Sequence, residues 1–181
     1  MPRITPVDPS TTEGRSAELF DGVRQAFGTV PNGVATIGAS TPALEGFMAV
    51  NLALAGGALR PADREQIAIA VAEFNGCTYC LSAHTAAADA AGVSEQDRSD
   101  ARQFRASGAR PQAILGLVEA LLEQRGGIDD GQFAAAREGD LTDAEIVEVA
   151  AQVSLSTFTN FVNRAAQTEL DFPQVEAGAA A

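Results

Sequence analysis

Residues 61–92 read PADREQIAIAVAEFNGCTYCLSAHTAAADAAG, and this stretch decides the fold. Pro61 suits the first turn of a helix, where its missing N–H costs nothing. Ile67, Val71 and Phe74 follow at helical spacing and share one face. Asn75-Gly76 stops that helix, because glycine enters the left-handed conformation of a C-cap without steric cost. Cys77 lies at or near the start of a further helix over 77–91, which Gly92 ends. Two helices joined by so short a break pack as an antiparallel hairpin.

The rest of the chain reads in the same key. Ala17, Phe20, Val23 and Phe27 give a helix over 13–27 that Gly28 closes, and residues 30–33, Val-Pro-Asn-Gly, form a turn. Pro42 opens a helix that carries Phe47, Val50 and Leu54 to Gly56-Gly57. Amphipathic pieces follow over 94–107 and 111–124, then a short helix after Asp129-Asp130. Thr142-Asp143-Ala144-Glu145 is a capping box, and it starts a helix bearing Ile146, Val149, Val153, Phe158, Phe161 and Val162. The Phe158, Phe161 and Val162 cluster reads as core or subunit interface. No stretch alternates as a strand does. The expected architecture is all-α: an extended arm over 1–12, a single helical domain over 13–170 and a loose tail over 171–181.

One internal echo stands out. Leu59, Asp63, Ile67 and Val71 match Leu141, Glu145, Val149 and Val153 at a constant offset. Two amphipathic helices with one heptad-like pattern explain it, and an internal duplication is the sharper reading. In that register Thr159, Val162 and Ala166 stand where Cys77, Cys80 and His84 do, so a second copy would be chemically silent.

Composition removes several function classes. The net charge is −12 and all 12 basic residues are arginine, a balance unsuited to nucleic acid or anionic membranes. Without lysine there is no Schiff base and no P-loop lysine; with one histidine there is no H-E-x-x-H zinc site. The first ten residues lack the pattern of a secretory signal, and the longest apolar run, 67–72, is far too short to span a bilayer. The expected location is cytoplasmic, where close cysteines are catalytic or metal-binding more often than structural.

Both cysteines and the only histidine fall within Cys77-Thr78-Tyr79-Cys80-Leu81-Ser82-Ala83-His84. On a helix Cys77, Cys80 and His84 share one face, with neighbouring Cβ atoms roughly 5–6 Å apart. The free N–H groups and dipole of a helix start favour a thiolate and lower its pKa from about 8.5. His84 can take a proton from a nearby thiol. Glu65 and Glu73 on the preceding helix are the candidate acids, and spacing does not choose between them; local distance favours Glu73. Tyr79 reads as a packing residue. Cys77, Cys80 and His84, with Glu65 or Glu73, also offer a zinc tetrahedron, although structural zinc sites usually take four Cys or His ligands.

Glu65-x11-Cys77-x2-Cys80-x3-His84 resembles the active-site signature of the alkylhydroperoxidase D branch of the carboxymuconolactone decarboxylase superfamily. The flanking text agrees, from Leu59 to Glu65, through Ala83-His84-Thr85 and Gly92, to 143–149 and Asn163-Arg164. The resemblance implies an all-helical fold assembled as trimers or hexamers. It implies that Glu65, rather than Glu73, joins His84 in a proton relay that activates Cys80, with Cys77 as disulfide partner. The implied activity is thiol-dependent reduction of hydroperoxides, with a lipoylated or thioredoxin-like protein as external dithiol reductant. No cofactor or metal is needed, since the dithiol is itself the redox group. Decarboxylases of the superfamily generally lack this cysteine pair. Thr78 and Tyr79 stand where some peroxidase members place another histidine. A disulfide oxidoreductase or redox sensor on the same fold is the alternative, and a Cys/His zinc-binding module a further one.

Overall fold

The computed structural model describes residues 1–178. Among them the chain forms nine α-helices and no strand: α1 (Gly14–Phe27), α2 (Asn32–Ile37), α3 (Thr41–Ala55), α4 (Pro61–Phe74), α5 (Thr78–Ala90), α6 (Glu95–Ala101), α7 (Ala109–Glu123), α8 (Asp130–Glu138) and α9 (Asp143–Ala166). None of the described helices is long and apolar enough to cross a membrane.

The central helix is α4. Its residues 67–72 are all 0–1% exposed, so it is enclosed on every side, more than the one-face pattern of Ile67, Val71 and Phe74 requires. Its start is fixed by Asp63, whose carboxylate accepts from the Arg60 backbone N–H at 3.3 Å and from Arg60 Nε at 2.8 Å. Its end is a Schellman turn. Gly76 sits at φ 64°, its N–H donates to Glu73 O at 3.0 Å, and the Cys77 N–H donates to Ala72 O at 2.8 Å. Cys77 is also the N-cap of α5. One residue thus finishes α4 and starts α5.

Two apolar cores flank this hairpin. One gathers α4, α5 and α7 with the first half of α9 around Ile67, Leu81, Leu115, Val118 and Val149. The other gathers α1, α2 and α3 around Phe20, Val23 and Leu44, and α9 enters it through Leu155. The start of α9 is a capping box: Thr142 N–H donates to Glu145 Oε2 at 2.8 Å and Glu145 N–H to Thr142 Oγ1 at 3.3 Å. The Thr142 backbone N–H, followed by the Arg110 guanidinium, holds the Glu145 carboxyl down at about 2. Further along α9, Glu148 accepts from the N–H groups of Ala58 and Leu59, at 2.8 and 3.1 Å, and pins the turn that leads into α4.

Four readings of the sequence change. The turn at 30–33 continues into α2, a helix of six residues and so too short to register as periodicity. The piece expected over 94–107 stops at Ala101, because Phe104 takes a positive φ of 54° and turns back edge-on to Phe74 at 6.2 Å. The arm over 1–12 contains a 3-10 turn at Pro9–Thr11, capped by Asp8. The tail, expected to be loose, is tied down through Gly178: Val175 N–H donates to Ser82 Oγ at 2.9 Å, Ala177 N–H to Thr78 Oγ1 at 3.3 Å and Gly178 N–H to Glu73 Oε1 at 3.0 Å. Hydroxyls on α5 supply partners for a backbone that has none of its own. Residues 179–181 of that tail lie outside the described residues.

Gly76→Ala is expected to cost about 1–2 kcal/mol in urea denaturation, since an L side chain is strained at positive φ, and Gly76→Asn less. Glu145→Gln tests the α9 cap through its pH dependence. A carboxyl held at about 2 rather than 4.5 stabilises the fold fully above 4.5, and that contribution fades as pH falls through 2. The stability deficit of Glu145→Gln should therefore be widest at neutral pH and narrow below 4.5; a deficit constant from pH 7 to pH 3 would contradict it.

Candidate active site

Because Cys77 caps α5, its sulfur lies over the first turn of that helix. The Cys80 N–H donates to Cys77 Sγ at 3.3 Å. The two cysteines are paired as a disulfide with a Cα–Cα distance of 5.3 Å, inside the usual range of roughly 4.4–6.8 Å. Once reduced, a sulfur here faces unpaired N–H groups and the positive end of a helix, both of which favour the thiolate. The pair is enclosed, Cys77 being 1% exposed and Cys80 3%.

A third donor comes from far along the chain. Asn163 on α9 points its Nδ2 at Cys80 Sγ, 3.5 Å away. The Thr168 hydroxyl donates to Asn163 Oδ1 at 2.9 Å, so the amide oxygen is engaged and the NH2 is left for the sulfur. A hydrogen bond donated to sulfur favours its charged form. In the sequence Asn163 appears only in the Asn163-Arg164 pair of the family resemblance, with no role attached to it. The signal that could have found it is burial, since it is 5% exposed.

The structure brings Glu65 together with His84 and sends Glu73 elsewhere. His84 Nδ1 and Glu65 Oε2 are 2.8 Å apart. With Nδ1–H donating to the carboxylate, Nε2 remains as the acceptor, the state a base needs. Glu73 instead accepts from Arg102 Nε at 2.9 Å and from the Gly178 N–H, so it ties α6 and the tail to α4.

Tyr79, between the cysteines, braces the site. Its hydroxyl accepts from the Gly33 N–H at 2.7 Å and its ring meets Phe172 edge-on at 5.9 Å. Burial above all, and Asp171 nearby, push the phenol well up, against the lowering effect of the Gly33 N–H. That suits a neutral brace rather than a proton donor. Gly33 is required by closeness: a Cβ there would stand 2.5 Å from Tyr79 Cε1 and 3.0 Å from the Asn163 amide. The sequence reading saw only a turn glycine.

These side chains open on one cavity of about 730 Å³ at the seam between the two cores. Cys80, His84 and Glu65 line it, and Cys77 does not. Its other walls are mainly apolar, with Phe27, Val34, Phe47, Leu52 and Leu155 among them. No three Cys, His, Asp or Glu side chains converge as metal ligands would among the described residues.

Residues 41–123 match the carboxymuconolactone decarboxylase family. No curated protein sequence matches the chain significantly. Solved structures do. An uncharacterized peroxidase-related protein from Ralstonia eutropha JMP134, described as an alkylhydroperoxidase AhpD core, superposes with a TM-score of 0.83 at 21% identity, over 94% of this chain and 92% of that one. A cysteine-to-alanine variant of the debrominase Bmp8, in complex with 2,3,4-tribromopyrrole, gives 0.78 at 21% identity, over 93% and 91%. An uncharacterized peroxidase-related protein from Silicibacter sp. TM1040 gives 0.76 at 22% identity, over 91% of each chain. At such identities the likeness concerns the fold alone, an all-helical one, and the family match covers residues 41–123 of the chain.

Proposed function

We propose that this protein is a thiol-dependent peroxidase that reduces organic hydroperoxides through a Cys77/Cys80 dithiol–disulfide cycle. The observation that carries the reading is that Cys80 and the Glu65-bound His84 line the same apolar cavity while Cys77 stands behind Cys80. In the cycle His84 takes the Cys80 proton, and Glu65 holds the imidazole and its developing charge. The thiolate attacks the terminal oxygen of ROOH. The O–O bond breaks, the alkoxide recovers the proton from His84 as ROH, and Cys80 becomes a sulfenic acid. The Cys77 thiol then attacks that sulfur, forming the disulfide and releasing water. An external dithiol restores both thiols by exchange and leaves as its own disulfide.

Enclosure of both sulfurs supports a reductant with a slender reach, so a dithiol on a lipoyl arm fits better than one on a broad protein surface. Val147 and Phe161 on α9, 67% and 60% exposed, support self-association into a homo-oligomer. The lack of a basic surplus supports a cytoplasmic enzyme without nucleic-acid or membrane partners. The likeness to a debrominase favours a second reading, in which the same dithiol removes bromine from an aromatic ring and is oxidised to the same disulfide.

Thiol titration and intact mass before and after one equivalent of cumene hydroperoxide test the cycle. Wild type should lose two thiols and two mass units within the assay, and Cys80→Ser should form no Cys77–Cys80 disulfide. Thiols that ignore peroxide but close with an oxidised dithiol reagent would make the protein an exchange catalyst or sensor. Bromide release from a bromopyrrole, without peroxide consumption, would favour the dehalogenase reading. Glu65→Gln should slow peroxide-driven thiol loss on the order of 10²-fold, the scale of general base catalysis, whereas Glu73→Gln should leave the rate in place.

A further inference from the structure

The cavity holds one charged group that the cycle does not use. Arg64 lies next to Glu65 on α4 and lines the same wall. The chain carries 24 acidic residues against 12 arginines, so partners are plentiful. Arg15, Arg24, Arg60, Arg98, Arg102, Arg105, Arg110 and Arg137 each have a carboxylate. Arg64 has none, and its Nε is shut off from solvent and donates to nothing among the described residues. Arg3, Arg125 and Arg164 also lack a carboxylate among the described residues, but they are exposed to solvent. An enclosed donor without an acceptor is rare in folded proteins and marks a place where something outside the chain completes the bond.

Among the described residues the only carboxylate lining the cavity is Glu65, and His84 already occupies it. Arg64 is therefore a cation without a carboxylate partner among the described residues, in a mainly apolar chamber of about 730 Å³, a size that suits a ligand much larger than a small alkyl peroxide. The geometry points to an anion subsite at Arg64 that selects amphipathic carboxylates, with the apolar chain along the cavity wall and the carboxylate on the guanidinium. Combined with the peroxidase reading, on which this step rests, the substrate class is fatty-acid hydroperoxides presenting the O–O bond to Cys80. A guanidinium suits this role because its planar fork meets a carboxylate with two hydrogen bonds. The need for a dedicated cation is greater here, because a surface of net charge −12 repels anions before they enter.

Two measurements separate the subsite from the peroxidase reading. The first is calorimetric binding of decanoate and decanamide to the Cys80→Ser protein, which cannot turn over. Decanoate should bind about tenfold tighter or more, as a charge-assisted hydrogen bond gives, and the preference should vanish on adding Arg64→Met and partly return with Arg64→Lys. The second compares kcat/KM for linoleate hydroperoxide and its methyl ester. Their ratio should exceed about ten in the otherwise wild-type enzyme and fall towards one with Arg64→Met. If neither peroxide is consumed but decanoate still binds through Arg64, the peroxidase reading fails and the subsite stands. If both peroxides are consumed equally and Arg64→Met leaves decanoate binding as it was, the subsite is overturned and the peroxidase stands. A change of oligomer mass in Arg64→Met with no decanoate effect would show the guanidinium serving a neighbouring subunit, and would also overturn it.

Discussion

Everything chemical in this protein depends on one backbone hydrogen bond, from the Cys77 N–H to Ala72 O. That bond is the outer closure of the α4 C-cap, and Gly76 makes it possible by accepting a positive φ. It fixes Cys77 against the most enclosed helix of the fold, so the first turn of α5, with Cys80 on it, inherits the rigidity of α4. Were the break a longer loop, Cys77 could still cap α5. Cys80 would then lose its set distance from Asn163, and His84 its distance from Glu65.

The supporting groups stand around that turn in a consistent electrostatic pattern. The Cys80 N–H offers hydrogen to the Cys77 sulfur, and the Asn163 amide to the Cys80 sulfur. The one carboxylate that lines the cavity is held by His84, at 2.8 Å, rather than facing the thiol. Negative charge appearing at Cys80 therefore meets the Asn163 amide, and the compensating proton has a base one helical turn away. The surface has the opposite sign overall, with 24 acids to 12 arginines, and none of that excess enters the chamber beyond Glu65.

How far this was legible in the sequence follows from the range of each interaction. The helix stop at Asn75-Gly76, the cap position of Cys77 and the shared face of Cys80 and His84 are local, and residue types alone reveal them. The choice between Glu65 and Glu73 is not local. Sequence distance favoured Glu73, yet its carboxylate is taken by Arg102 and the tail, while Glu65 reaches His84 across the hairpin. Only the family resemblance pointed to Glu65. The roles of Gly33, Asn163 and Arg64 were invisible for a related reason. Gly33 and Asn163 matter through contacts 46 and 83 residues away, and Arg64 through the absence of any partner. No periodicity encodes a missing bond. The tail was misread because proline, glycine and alanine suggest looseness, whereas its order comes from hydroxyls on another helix.

The echo between the α4 and α9 regions gains a physical meaning from this turn. Leu59 and Leu141 are both 3% exposed, Asp63 and Glu145 both cap their helices, and Ile67 and Val149 are both fully enclosed. The two stretches part where one has Asn75-Gly76 and the other Thr157-Phe158. A phenylalanine is strained in the left-handed conformation, so α9 continues unbroken to Ala166 while α4 ends. The packing that should follow a duplicated hairpin is absent, which leaves a shared heptad pattern rather than two copies of one unit. Both outcomes are needed by the site. The broken helix creates the N-terminus on which the thiols sit, and the unbroken one carries Asn163 far enough to place an amide against Cys80.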